Sequence, residues 1–575
     1  MSDAWDRRAW TVASDSREAF AARLADARND RDRDELLRMR LRWRIDEFAE
    51  MCVRPYIEET ADDWAPNNAA HLAVYSVPPL RAGLRKQTLR RAILSTRGVG
   101  KSGGLKVRGF HGFIFGLTNV SLVACYTDPE AVEWADTLRG WCEEPCPEVA
   151  RLWPSLTVEG NQHALRIECS GHTGTLMARG WRTGLRGINK RMVRPDRVFL
   201  DDVDNEEDCS TEANRDKQQR RLTQKVMPLE PMQGGAEFWW ANTPPHPDSI
   251  SSRAQRRLKD LTSWDVRAFP AVNRWPESPL WDEVQRIYTD YDANPDPDDR
   301  YAAAADFYDE HRDELDEGAD VLDPHRMGIL RCFLTRIDVG PIAWETEYQV
   351  NARAVSGRIF DPATWRRFRW VTPAGREPRG FGDVLRSSGG TVVRCADLRL
   401  AHHWDWSDGG DNGAVSCLGR EASGRAYAVE TMSLVRMPLT AQAREWARSV
   451  IRWRVNRPQI ETPSGTKSSV EDTARAALAA AMAELPERQR FPVHIEWKQS
   501  TERKEARIST LEAPLSNGRL EMPEDLPASV VGRFEDFDPS KRNNADDELD
   551  ATQRAWERLA EPVPQGVRRM RPGRR

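Results

Sequence analysis

The stretch STRGVGKSGG at residues 95–104, directly after the apolar-leaning run RRAIL, constrains the fold of this chain more than any other. A strand that passes two glycines into Lys-Ser and then a helix is the layout of a phosphate-binding loop, whose backbone N–H groups and helix N-terminus cradle an anion. The full pattern asks for glycine where Ser95 stands, so a plain Gly-rich turn is the competing reading. The surroundings favour the loop. Between about 85 and 250, the β-prone runs RAILS, VSLVACY, RVFLDD and AEFWWANTP alternate with helical stretches such as DPEAVEWADTLRGWCEE. That alternation predicts a mainly parallel α/β sheet. The apolar run Val198-Phe199-Leu200 ending in Asp201-Asp202 supplies what a phosphate loop further requires, acid at a strand end to hold Mg²⁺ and orient water.

A chain of 575 residues exceeds the size of a single core, so two or three domains are expected. Charged residues make up 30% and the mean hydropathy is −0.68, with no run long enough to cross a bilayer and no apolar segment near the N-terminus of signal-peptide type. Nine cysteines without a CxxC pair read as reduced thiols rather than a zinc site. The net charge of −5 does not exclude a nucleic-acid partner, because a local basic stripe suffices. Composition divides the chain into a helical lead-in over 1–50, a P-loop domain over 51–250, an acidic, Pro-bearing linker region over 251–384, a second α/β domain over 385–560 and a basic tail over 561–575.

A second set of acids falls in that second domain. Asp397 ends the run TVVRCAD, Asp411 precedes the strand-like GAVSC, Glu461 ends PQIE, and Asp546, Asp547 and Asp550 sit where a helix is expected to begin at Asn543 or Asn544. Carboxylates from separate strands and a helix are what a two-metal nuclease of RNase H type brings together. His402 and His403, beside Trp404 and Trp406, read as a packing or DNA-touching loop rather than metal ligands.

In motif order, the chain resembles the large terminase subunits of tailed phages, ATP-driven DNA-packaging motors joined to a nuclease. The resemblance is carried by Arg97 ahead of Gly98-Val99-Gly100-Lys101-Ser102, by GWRTGLRG at 180–187, by VFLDD, by WWANTPP at 239–245 and by the ordered acids, and it spans most of residues 45–560. It implies an ASCE-type P-loop ATPase domain followed by an RNase H-like nuclease domain.

It also implies roles. Arg97, Gly98 and Gly100 would shape the loop, Lys101 would contact the β- and γ-phosphates, and Ser102 and Asp201 would serve Mg²⁺. Asp202 would orient the attacking water, with Asp204, Glu206 and Glu207 as alternatives. Arg186 or Arg182 would act as arginine finger, and Asn242 and Thr243 would sense the γ-phosphate. At the nuclease site the implied ligands are Asp397, Asp411, Glu461 and Asp546, with Asp547 in an outer position or on a second ion and Asp550 in support. Lys504 and Arg507 resemble a basic helix suited to phosphate, and Gly518 precedes a short strand. ATP and Mg²⁺, with Mn²⁺ an option at the nuclease, are the implied cofactors. Double-stranded DNA, the portal protein of the procapsid and a small terminase subunit are the implied partners, around a ring oligomer in the host cytoplasm. A repair helicase-nuclease would call for a second P-loop after residue 250, which the sequence lacks. A nucleotide-switched nucleic-acid-binding module with a resolvase-like domain is the third reading, and complete acid sets at both sites count against it.

Overall fold

The computed structural model describes residues 3–58, 67–81, 84, 87–183, 193–209, 211–258, 261–294, 296–352, 357–371, 379–407, 412–461, 467–498, 504–539, 541 and 544–560. The chain forms two compact units: Met1–Trp275 with Gly318–Cys332 and Ala343–Ala354, and Pro276–Glu317 with Phe333–Ile342 and Val355–Arg575. The region expected as a linker is thus shared between the units. The expected basic tail over 561–575 lies outside the described residues.

The first unit is built on an eight-stranded sheet of β1 (Leu89–Ser95), β2 (Val120–Cys125), β3 (Thr157–Asn161), β4 (Ala164–Cys169), β5 (His172–Gly180), β6 (Arg197–Asp201), β7 (Glu237–Asn242) and β8 (Asp265–Phe269). Their spatial order is β3-β4-β5-β2-β6-β7-β1-β8. The strands β5, β2, β6, β7, β1 and β8 run parallel, while β3, β4 and β5 pair antiparallel. The four runs read from the sequence are β1, β2, β6 and β7, whose apolar continuity marks strands covered on both faces. The lead-in helices pack into the same core, where Phe48 meets Phe110 and His111 of the helix Lys101–Ile114. A two-stranded antiparallel ribbon of β9 (Val272–Arg274) and β10 (Asp320–Val321) completes this unit.

The second unit holds a nine-stranded mixed sheet: β11 (Arg367–Trp370), β12 (Val384–Arg386), β13 (Val392–Arg394), β14 (Arg399–Asp405), β15 (Gly413–Arg420), β16 (Ala426–Leu434), β17 (Gln459–Glu461), β18 (Glu496–Lys498) and β19 (Leu520–Pro523). Its order is β13-β12-β11-β19-β16-β15-β14-β17-β18. The strand-turn-strand expected over 413–434 is the β15–β16 hairpin. One side of the sheet packs Ala401, Leu418, Ala426, Ala428 and Met522 against Leu549, Ala555 and Leu559 of the helix Asp547–Ala560. On the other side, Trp404, Val415 and Ile460 pack against Trp446 and Val450 of the helix Leu439–Arg452. The sheet is therefore a middle layer, as α/β architecture requires. Among the described residues, no helix is long and apolar enough to cross a membrane.

Candidate active sites

In the first unit, backbone geometry shows where the loop needs glycine. Positive φ occurs at Gly98 (78°) and Gly100 (76°), where a side chain would be strained, whereas Ser95 is the last residue of β1 and has no such need. The absent first glycine therefore costs the loop nothing. Lys101 opens the helix Lys101–Ile114, and its Nζ donates to Thr243 Oγ1 at 3.1 Å and lies 3.3 Å from Asp202. Ser102 Oγ donates to Asp201 Oδ1 at 2.7 Å. Parallel pairing of β1 with β7 and of β7 with β6 sets Ser95, Asn242 and Asp201 side by side at the strand ends, so Lys101, Ser102, Asp201, Asp202, Asn242 and Thr243 meet at one end of the sheet. Burial, reinforced by the neighbouring Asp202 charge, raises the Asp201 carboxyl to about 6.

The alternatives for orienting water separate by what they already hold. Asp204 is buried and accepts from the Ser251 N–H at 2.8 Å and the Ser251 hydroxyl at 2.5 Å, a structural commitment. Its backbone exchanges hydrogen bonds with the Asn242 side chain, 3.0 and 3.2 Å, which ties Asn242 to the turn after β6. Glu207 accepts from the Tyr126 hydroxyl at 2.8 Å and pairs with Arg182 at 3.1 Å. Arg182 also pairs with Asp208 at 2.9 Å and stacks on Tyr126. Asp202 and Glu206 line a cavity of about 480 Å³ together with Arg97, Lys101, Thr243 and Glu347, a cavity that Asp204 also borders. Arg186 lies outside the described residues.

Three residues here escaped the sequence reading. Glu347 pairs with Arg97, and burial raises its carboxyl. Asn68 Nδ2 donates to the Val99 carbonyl at 3.0 Å and to Asp323 at 2.9 Å, and buried His71 lies 2.9 Å from the Gly100 carbonyl through Nε2. A Cβ at Gly100 would meet that imidazole at 3.0 Å, a second reason for glycine there. Asn68 and His71 stand about 30 residues before the loop without a motif of their own, and Glu347 stands about 250 after it.

In the second unit, β14 and β17 are parallel neighbours, with His403 opposite Gln459 and Trp404 opposite Ile460. That register puts Asp405 and Glu461 side by side at the two strand ends. Asp546 precedes the helix Asp547–Ala560 and its carbonyl accepts from Asp550 N at 2.9 Å, so it is the cap residue. Lys504 Nζ stands among four carboxylates: 3.0 Å from Asp546, 3.4 Å from Asp550, 3.6 Å from Asp405 and 3.8 Å from Asp547. Arg507 pairs with Asp550, and Arg554 approaches Glu461 at 3.5 Å. Burial raises the Asp405 carboxyl well above the usual range; the charges of Asp550, Glu461 and Asp547 push the same way, against Lys504.

Three expectations change. Asp397 is exposed in the turn Cys395–Asp397, at the opposite end of β14, about 25 Å of extended chain from Asp405. The residue at the first-strand position is Asp405. His402 and His403 belong to β14 and are buried, not in a loop; burial lowers both to about 3, keeping them neutral. Trp404 is buried against Trp446. The helix begins at Asp547 rather than near Asn544, whose side-chain amide instead donates to the Asp538 and Lys541 carbonyls. Asp411 lies outside the described residues. Gly518 does precede the short strand β19, with φ of 75°.

Among the described residues, no three His, Cys, Asp or Glu side chains form a ready-made metal cage, since the Lys504 ammonium stands between the acids. The donor set nonetheless fits a hard divalent ion: all oxygen ligands, with the buried Glu461 Oε2 accepting no hydrogen bond.

The first unit joins a phosphate-loop layout on β1 to acid at the end of β6, and the second clusters carboxylates at the ends of β14 and β17 and the start of a helix, the layouts of a P-loop fold and an RNase H-like fold. Residues 402–558 match the family model of the terminase RNaseH-like domain, so the resemblance to terminase large subunits holds, and the match contains Asp405, Glu461 and Asp546. Solved structures similar to the chain include the large terminase from the thermophilic bacteriophage D6E, at 11% identity and TM-score 0.43 over 86% of this chain and 99% of that one. The same enzyme in complex with ATP-gamma-S gives 11% and 0.42 over 85% and 98%. The HK97 bacteriophage large terminase gives 11% and 0.28 over 84% and 90%. The resemblance rests on the family model over residues 402–558. No curated protein matches the chain.

Proposed function

We propose that this chain is a viral DNA-packaging motor, coupling ATP hydrolysis to translocation of double-stranded DNA into a procapsid and cutting concatemers with a metal-dependent endonuclease. The observation that carries the reading is the pair of sites in one chain: the Lys101–Ser102–Asp201 constellation in the first unit and the acid cluster in the matched terminase domain.

At the ATPase site, Lys101 would release Asp202 to meet the β- and γ-phosphates, leaving the Asp202 carboxylate to orient water. Ser102 and Asp201 would hold Mg²⁺. Thr243, bonded to both Lys101 and the Ser95 carbonyl, is suited to report the occupant of the loop to β1, with Asn242 relaying to the turn at Asp204. Arg97 would be drawn from Glu347 toward phosphate, and Arg186 is kept as the proposed finger. At the nuclease, Asp405, Glu461 and Asp546 would hold Mg²⁺ or Mn²⁺, with Asp411, Asp547 and Asp550 as further donors. Such ions supply an activated water and stabilise the leaving oxygen. The portal protein, a small terminase subunit, assembly as a ring on the portal and action in the host cytoplasm belong to the same proposal.

The test is ATP turnover by the full chain with portal-bearing procapsids, compared with forked or single-stranded DNA. Stimulation by procapsids supports the motor; stimulation by forked DNA alone would sink it in favour of a helicase-nuclease.

A further inference from the structure

At the edge of the nuclease-unit sheet opposite the carboxylates, one face carries only arginine and valine. Arg369 pairs directly with Arg386, and Val384 with Arg394 and Arg386 with Val392, so strand alternation puts Arg367, Arg369, Arg386 and Arg394 on the same face with Val371, Val384 and Val392. The reverse face holds Phe368, Leu385 and Val393, all buried in the core, which fixes the register beyond ambiguity. Val371 and Val392 are 44% and 52% exposed.

Like charges directly across two strands destabilise a sheet, and Arg369 opposite Arg386 is such a pair. A carboxylate would normally relieve it. Among the described residues, none of the four arginines forms an ion pair, although Arg425, Arg507, Arg533 and Arg554 of the same unit all do. Glu524 and Asp525, just past β19, make none with them either. Arg367 donates to the Pro523 and Pro362 carbonyls at 3.4 Å and lies over the Trp365 ring at 5.8 Å, and Arg386 donates to the Gly390 carbonyl at 3.1 Å. Among the described residues, this face thus carries four cations with no carboxylate paired to any of them.

We infer that this face binds the phosphodiester backbone of duplex DNA flanking the cutting site, an inference that rests on the nuclease reading above. A face of one sign of charge complements a polyanion, and neutralising phosphates with arginine is what gives duplex DNA its affinity. Position supports the same occupant. Arg367 lies beside Met522 on the side of the sheet that packs the helix Asp547–Ala560, which is also the side to which Asp405 and Glu461 point. Counting strands at about 4.8 Å each, the arginine strands stand roughly 20–30 Å from β14, within one helical turn of DNA at about 34–36 Å. Sheet twist turns the arginines away from the carboxylates, so they serve flanking phosphates and not the bond being cut.

The test compares the full wild-type chain with an R369A/R394A double variant, both sites being exposed, for binding to a hairpin duplex of about 5 base pairs, shorter than the separation of the two regions, and to a duplex of about 30 base pairs across a salt series. Basal ATP turnover should match wild type and the melting temperature should not fall, since the variant removes the Arg369–Arg386 repulsion. On the long duplex, affinity should fall about tenfold and the log–log salt slope should shrink by about 2, one per lost phosphate contact. The short duplex, too small to reach both regions, should be unaffected. An unchanged slope on the long duplex would overturn the inference and leave the face to a protein partner; an equal loss on both lengths would overturn its assignment to flanking DNA. Failure of the nuclease reading would show differently, as a wild-type chain that does not cut DNA.

Discussion

Lys504 Nζ lies 3.0 Å from Asp546 Oδ1 and within 3.8 Å of three further aspartates, so the cation that balances this acid cluster in the ion-free protein is a side chain. We predict that Lys504→Met lowers the melting temperature of the metal-free chain, corresponding to about 1–3 kcal/mol, because carboxylates whose burial already raises Asp405, Asp546 and Asp547 lose their counter-charge. Mn²⁺ should restore more stability to the variant than to wild type. Equal melting curves without metal would disprove the counter-ion role.

Asp405 and Asp397 make opposite predictions. Asp405→Asn should reduce Mg²⁺- or Mn²⁺-dependent cleavage by more than the roughly 10–100-fold that loss of an outer partner costs. Asp397→Asn should cleave normally, being exposed at the far end of β14. Both should retain ATPase activity. A cleavage defect confined to Asp397→Asn would reverse the assignment.

For the ATPase, Asp202→Asn should keep nucleotide binding and lose turnover by about 10²–10⁴-fold, since the carboxylate that accepts the water's proton is gone. Glu206→Gln is the control from the same cavity. If Glu206→Gln is the damaged variant and Asp202→Asn is near normal, the role passes to Glu206.

The Asp201 carboxyl, raised to about 6 by burial, sets a pH dependence. In the folded protein it holds its proton up to a higher pH than in the unfolded chain, so its contribution to the stability of the nucleotide-free protein falls as pH rises from about 4 to 6. Mg²⁺ needs the ionised form. Mg²⁺-nucleotide affinity should therefore weaken as pH drops through about 6, and Asp201→Asn should bind more weakly with a flatter pH profile. A wild-type affinity constant from pH 5 to 8 would contradict this.

Local chemistry made much of the first site legible in the sequence. The glycines at 98 and 100, Lys101-Ser102 and the strand ending at Asp201 are consecutive residues whose backbone needs and side-chain types belong to one short motif. The nuclease acids were harder to read for a physical reason. TVVRCADLRLAHHWD contains two β-prone runs that each end in aspartate, and nothing local says which run sits beside Glu461; the parallel register of β14 with β17 does. Sequence alone thus determined two α/β units, the phosphate loop and the kinds of residue at each site. Tertiary structure decided that Asp405, and not Asp397, stands beside Glu461, that Lys504 stands among the acids, and that Glu347 meets Arg97 from some 250 residues away. Those choices depend on strand register and long-range packing, and a linear sequence carries neither in any short window.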